Sequence, residues 1–381
     1  MKINSFKFDD HKENWHLQKT GFENFNLLVG VSGVGKTKIL QALDLIRDVA
    51  RDKDYQLDGV EWIIRFTHLG QEYEWELKSA LSDDEKTLFR QQQQTAEILY
   101  EKITRIENDK PIELLVRNQN ESTLHGEKLH KLKKTESAIT LLSEEEDIAP
   151  IYKAFERFIN ETPQYAIIPP DRAIPLKEVT IQQEKFTLTR QTFFENILPI
   201  DTPTVIKGHF LQKFFPDEFH EIKESYLEIF PKVNDLKIDM IEKSGGYLFS
   251  YAIKENADNW ILQPQISSGM LRTLAHLIEV ATAPIGSVMV IDEFENSLGI
   301  NCMSEITDFI LEQSNDIQFI LTSHHPYIIH NIPWQNWQIV SRQDHEVKVT
   351  KATEIPALDT ASSLDKFTQL VNLPEYEGGI T

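Results

Sequence analysis

The chain has 381 residues, 40% apolar and 26% charged, which is the balance of a soluble globular protein with a sizeable core in two or three lobes. Its 39 Lys and Arg stand against 60 Asp and Glu, a formal charge of −21, which excludes coating DNA by general electrostatics but leaves room for a local basic cleft. Cys302 is the only cysteine, so an internal disulfide and a multi-cysteine zinc site are excluded. Met1–Asp10 lacks the apolar region of a secretory signal, and no uncharged apolar run reaches the ~18 residues of a membrane span. The expectation is a cytoplasmic protein with no membrane partner.

In chain order, Ile3, Phe6 and Phe8 begin an extended segment, and Phe25–Val29 is a short apolar strand ending at Gly30. Glycines at 30, 33 and 35 are followed by an amphipathic helix with Ile39, Leu40, Leu43, Ile46 and Val49 at helical spacing. From about residue 60 the period becomes two. Trp62, Ile64 and Phe66, then Tyr73, Trp75 and Leu77, flank a Leu69-Gly70 turn and predict a hairpin. Strands are predicted at Ile98–Ile106 and Ile112–Arg117, with the glutamine-rich Phe89–Gln94 between as a solvated helix or loop.

Residues 143–161 read as a helix presenting Ile148, Ile151, Phe155, Phe158 and Ile159, and Tyr165–Ile168 as a strand stopped by Pro169-Pro170. Residues 190–235 read as a helical lobe broken at Pro199, Pro203, Pro216 and Pro231, and Gly245-Gly246 separates two strands. The last third alternates a helix at Leu271–Thr282, a strand at Ser287–Ile291, a helix at Met303–Gln313 and a strand at Ile317–Leu321. Wholly apolar strands separated by helices imply a parallel sheet covered on both faces. After Ile339 one more strand is predicted, at Val347–Val349.

Gly30-Val31-Ser32-Gly33-Val34-Gly35-Lys36-Thr37 fits G-x-x-x-x-G-K-[ST] at every fixed position. The glycines let backbone N–H groups close around phosphate oxygens at a helix N-terminus, with Lys36 toward the β- and γ-phosphates and the Thr37 hydroxyl on Mg²⁺. Gly30, Ser32, Gly33, Val34, Gly35, Lys36, Thr37 and Lys38 are therefore the nucleotide-binding candidates. Asp292, at the end of an apolar strand, is the second Mg²⁺ candidate. Glu293 follows as general base or water-positioning residue. Ser267-Ser268-Gly269 opens a helix and forms a second anion-binding end. His324 ends a strand, where it can hydrogen-bond a γ-phosphate or the attacking water; His325 and His330 are read as bland neighbours.

That order of motifs resembles the ABC-type ATPases, in the branch of RecF, the SMC proteins and the OLD-type proteins, the AAA-family ATPases of prokaryotic defence loci. NLLVGVSGVGKT, QISSGMLRTLAHLIE, VMVIDEFENSLG and ILTSHHPYII carry the likeness. It departs at Ser32, where the branch usually has Asn, and after Asn296, where Ser297-Leu298-Gly299-Ile300 replaces a Gly-Leu-His-Pro run. Gln164 and Gln182 are the candidates for the Q-loop glutamine. No heptad pattern supports the long coiled coil of the SMC proteins, and too little chain follows His324 for a Toprim nuclease domain.

The resemblance implies an α/β fold, a P-loop NTPase of ABC-ATPase type with an antiparallel β-meander and an inserted helical lobe. The expected division is an N-terminal ATPase lobe over 1–175, a helical lid insertion over 176–262, a C-terminal ATPase lobe over 263–345 and a tail over 346–381. It implies ATP and Mg²⁺ as cofactors, and Ser267 and Gly269 closing over a nucleotide held by a second copy in a head-to-head dimer. The function implied is an ATP-hydrolysing sensor or switch for a separate nuclease or toxin in anti-phage defence. Two alternatives stand beside it: a nucleotide-locked scaffold that hardly hydrolyses, and a DNA repair or maintenance ATPase clamping DNA. The last would draw phosphate contacts from Lys128, Lys131, Lys133 and Lys134, a strip that also reads as a solvated turn.

Overall fold

The P-loop strand is buried at every position because it lies inside a sheet, in a computed structural model that describes residues 1–81, 96–161, 189–243, 246–255, 259–359, 363–373 and 376. The segments Phe89–Gln94 and Tyr165–Pro170, and Gln164 and Gln182, lie outside the described residues. The chain forms two compact units, one of Met1–Asn160, Gly286–Glu293 and Gln318–Thr381, the other of Glu161–Ile285 and Phe294–Ile317. Both are discontinuous, and the segment 263–345 contributes to each.

The first unit begins with β1 (Lys2–Asp10), β2 (Trp15–Gly21), β3 (Phe25–Val29) and α1 (Lys36–Ala50). It continues through β4 (Val60–His68), β5 (Gln71–Ser79), β6 (Ile98–Glu107), β7 (Lys110–Asn118), β8 (Ser122–Leu124) and β9 (Glu127–Lys128) to α2 (Ala138–Leu141), α3 (Ala149–Phe155) and β10 (Phe158–Glu161). The second unit holds α4 (Arg190–Asn196), α5 (Thr204–Phe214), α6 (Pro216–Ile229), β11 (Val233–Lys243), β12 (Gly246–Glu255), β13 (Ile261–Leu262) and α7 (Ser268–Thr282). The chain then supplies β14 (Ser287–Ile291) to the first unit, α8 (Ile300–Glu312) to the second, and β15 (Ile317–Thr322), α9 (Pro326–Asn331), β16 (Trp337–Gln343), β17 (Glu346–Lys351) and α10 (Ser363–Val371) to the first.

Among the described residues one sheet runs β10-β14-β15-β3-β16-β17-β2-β1-β4-β5-β6-β7-β8-β9. β3 is parallel to β15 on one side and β16 on the other, so its carboxyl end, where the glycine loop begins, lies at the carboxyl ends of both neighbours. β1 pairs antiparallel with both β2 and β4 and joins this half to the meander. In the hairpin Trp62 opposes Leu77, Ile64 opposes Trp75 and Phe66 opposes Tyr73. Period-two residues thus share one face, and Phe155 of α3 covers it with edge-on contacts to Phe66 at 5.2 Å and Trp75 at 5.5 Å.

The helix expected over 143–161 is corrected. α3 stops at Phe155, and Phe158 and Ile159 belong to β10. The amide of Val288 in β14 donates to the carbonyl of Arg157 at 2.9 Å, and sheet pairing wins over continuing the helix. β16 was not expected; its first four residues are all buried. In the second unit the prolines separate α4, α5 and α6 as expected, and the buried Lys207 ammonium pairs with Glu279 at 2.6 Å between α5 and α7. No helix of the described residues is long and apolar enough to cross a membrane.

Candidate nucleotide site

The loop between β3 and α1 is shaped by close backbone approach. A Cβ on Gly30 would stand 2.5 Å from the Val340 carbonyl of β16, so no side chain fits there. Gly33 (φ 87°) and Gly35 (φ 106°) adopt left-handed backbone, and Gly35 is also the N-cap of α1. It supplies no side-chain cap, and the first helical turn carries no acid. The positive end of α1 is therefore not neutralised from within that turn, as an anion site requires. Ser32, Gly33, Thr37 and Lys38 are exposed, whereas Val34 is buried in the core. Lys36 is buried, and its Nζ donates to the carbonyls of Gly30 at 2.7 Å and Val31 at 2.9 Å.

The acids of β14 meet this loop. Thr37 Oγ1 donates to Asp292 Oδ1 at 3.2 Å, and Thr322 Oγ1 at the end of β15 donates to the same oxygen at 2.6 Å. The Glu293 amide in turn donates to Thr322 Oγ1 at 2.7 Å. One buried threonine thus fixes both acids, a role that sequence reasoning missed. Glu293 is exposed and sits at φ 48°, a left-handed conformation costing a non-glycine residue about 1–2 kcal/mol. The residues expected to hold Mg²⁺, Thr37 and Asp292, are already in contact, and a hydroxyl with a carboxylate is the hard oxygen set this ion takes.

Asp44, two turns along α1 from Thr37, accepts a hydrogen bond from Asn160 Nδ2 and lies 3.4 Å from Arg47 Nη1. Burial drives its carboxyl up to about pKa 7; Arg47 opposes this, while Asp48 and Asp292 add to it. Nothing in the motif signalled this group.

His324 is exposed after β15, as is His330 in α9; His325 caps α9, its Nδ1 accepting from the Tyr327 amide at 3.2 Å. In the second unit, exposed Ser267 caps α7, its Oγ accepting from the Met270 amide at 3.3 Å. A Cβ on Gly269 would stand 2.7 Å from the Ser297 carbonyl, so glycine is required where α7 meets the loop 297–299. Of the basic strip, Lys133 pairs with Glu136, and Lys134 pairs with Glu97 at 2.8 Å.

Parallel strands within a mixed sheet, with a glycine loop and strand-end acids beside it, define a P-loop NTPase fold, and that fold is similar to an SMC head. A crystal structure of an SMC head bound to the C-winged helix domain of ScpA aligns over 92% of this chain and 98% of its own, at 15% identity and TM-score 0.50. An SMC head with an extended coiled coil, bound to the C-terminal domain of ScpA derived from Pyrococcus furiosus, aligns over 97% and 98% at 14% identity and TM-score 0.47. The SMC head domain from Thermotoga maritima aligns over 92% and 99% at 12% identity and TM-score 0.42. Residues 25–330 match the family described as "AAA domain, putative AbiEii toxin, Type IV TA system", and the chain belongs to that family. No curated protein sequence matches it.

Proposed function

We propose that this chain is a Mg²⁺-dependent ATP-hydrolysing head that completes its site with a second copy and switches a separate effector, a nuclease or toxin, in prokaryotic anti-phage defence. The observation that carries the reading is the cluster of Thr37, Asp292, Thr322 and Glu293 beside the glycine loop. The family description, which couples an AAA domain to a toxin system, supports the defence setting.

In this reading the amides at the start of α1 bind phosphate oxygens, and Lys36 Nζ exchanges the carbonyls of Gly30 and Val31 for the β- and γ-phosphates. Thr37 and Asp292 would hold Mg²⁺, which when bound would supply charge neutralisation to the phosphates. Thr322 orients Asp292 through its hydroxyl and restrains Glu293 through the amide. The Glu293 carboxylate orients the attacking water and takes its proton. His324 donates to the γ-phosphate. Ser267 and Gly269 close over the nucleotide of the other copy, so that ATP favours the assembled state and hydrolysis releases it.

Phosphate release by the wild type and by Glu293→Gln tests the enzyme reading. Turnover by the wild type that Glu293→Gln abolishes, with ATP binding retained, is the expected result. ATP bound equally by two equally inert proteins contradicts hydrolysis and is what a nucleotide-locked scaffold predicts.

A further inference from the structure

Arg272 of α7 is buried, at 3% relative exposure. Its Nε donates to His276 Nε2 at 3.0 Å, four residues on along the same face. Nη1 and Nη2 are buried and have no hydrogen-bond partner among the described residues. A buried cation without an anion is costly, and an aliphatic residue would fill such a place without that cost. The bond through Nε is what the guanidinium contributes here. Because Arg is donor-only, His276 accepts at Nε2 and carries its proton at Nδ1.

The imidazole of His276 lies 5.2 Å, centroid to centroid, from the ring of Phe294, which is wholly buried. Phe294 is the residue after Glu293. Glu293 is thus held at its amide by Thr322 and anchored at the following residue by His276, with its own backbone in the left-handed region between. One turn before Arg272, Gly269 abuts the Ser297 carbonyl, so α7 meets the loop after the acids at two places.

We infer that Arg272 is a positioning residue for Glu293, acting through His276 and Phe294: it locks the imidazole that packs on Phe294 and so fixes the Glu293–Phe294 peptide. The coupling needs no contact between Arg272 and nucleotide. Its kinetic consequence rests on the hydrolysis proposed above, whereas its structural consequence does not.

The test compares wild type with Arg272→Lys, which keeps the charge but cannot reproduce the planar Nε bond, and with His276→Phe, which keeps a ring against Phe294 but removes the acceptor. Hydrogen exchange of the full-length protein is read at the peptides covering 292–298 and 273–282. Faster exchange at 292–298 with 273–282 unchanged is expected from either variant; unchanged exchange at 292–298, or loss of protection along all of α7, overturns the inference. In the kinetic arm, Arg272→Lys lowers kcat by about tenfold or more with ATP affinity retained, and lowers the residual rate no further in a Glu293→Gln background. An equal fall in both backgrounds means that Arg272 acts independently of Glu293 and overturns the coupling. If the wild type does not hydrolyse ATP yet the exchange result holds, the strut stands and the proposed activity falls.

Discussion

Thr322 is the residue on which the geometry of the site converges, since it donates to Asp292 and accepts from the Glu293 amide. Thr322→Val keeps the shape and leaves that amide without its acceptor, a loss of about 1–3 kcal/mol in unfolding free energy. ATP turnover should fall with it, and Thr322→Ser should restore both; denaturant unfolding and phosphate release read the two effects. Asp44 yields a pH signature. Its pKa rises from 3.8 to about 7 in the folded chain, so between these values the folded state keeps a proton that the unfolded state has lost. The Asp44 contribution therefore falls as pH rises through that window and is flat above it. Asp44→Asn removes the slope: urea unfolding should show its stability gaining on wild type from about pH 4 to about pH 7 and holding constant at higher pH. A difference that does not change with pH would contradict the raised pKa. The glycine loop, Lys36 and the two acids were legible because phosphate binding demands those residue types at fixed spacing. Thr322 was not, because a threonine ending an apolar strand has no periodic mark, and its partner is 30 positions away.

Among the elements, those whose apolar residues recur at one clean period were legible, as with α1 and the β4–β5 hairpin. β10 was hidden because Phe155, Phe158 and Ile159 fall at helical spacing although the latter two sit in a sheet. β16 was hidden by Gln338, which reads as polar but is buried with its amide donating to the Gly21 carbonyl and to Asn26 Oδ1. Close packing of elements at the glycine loop separates two substitutions that look alike in sequence. Gly30→Ala drives a methyl into the Val340 carbonyl of β16, whereas a Cβ on Gly33 would meet nothing within 4 Å beyond its own chain neighbours, and only the left-handed φ opposes alanine. Thermal unfolding should show the larger loss for Gly30→Ala, about 1–3 kcal/mol from overpacking in addition to any backbone strain. Equal losses would mean that β3 and β16 yield easily.

For the whole molecule, the interleaving of the two units follows from where the chain re-enters the sheet: the first compact unit takes back Gly286–Glu293 and Gln318–Thr381 after the helical segments. The resemblance led the sequence reading to expect a helical lobe inserted between an N-terminal and a C-terminal ATPase lobe, drawn as consecutive segments. The division between the units falls at the Glu293–Phe294 peptide. The strongly negative charge weighs against the DNA-clamping alternative at long range, and in the strip it would draw on, Lys133 and Lys134 pair with acids.

The proposed nucleotide site is shared between two copies, and mixing two defective variants tests that sharing. Lys36→Ala loses the P-loop lysine but keeps the helix start at Ser267; Ser267→Arg obstructs that helix start but keeps the P-loop. Each alone should release no phosphate above background. Mixed in the presence of ATP, they form assemblies in which one intact P-loop faces one intact Ser267, and part of the wild-type rate returns. A mixture as inactive as its components, or a Ser267→Arg protein as active as wild type, would contradict a shared site.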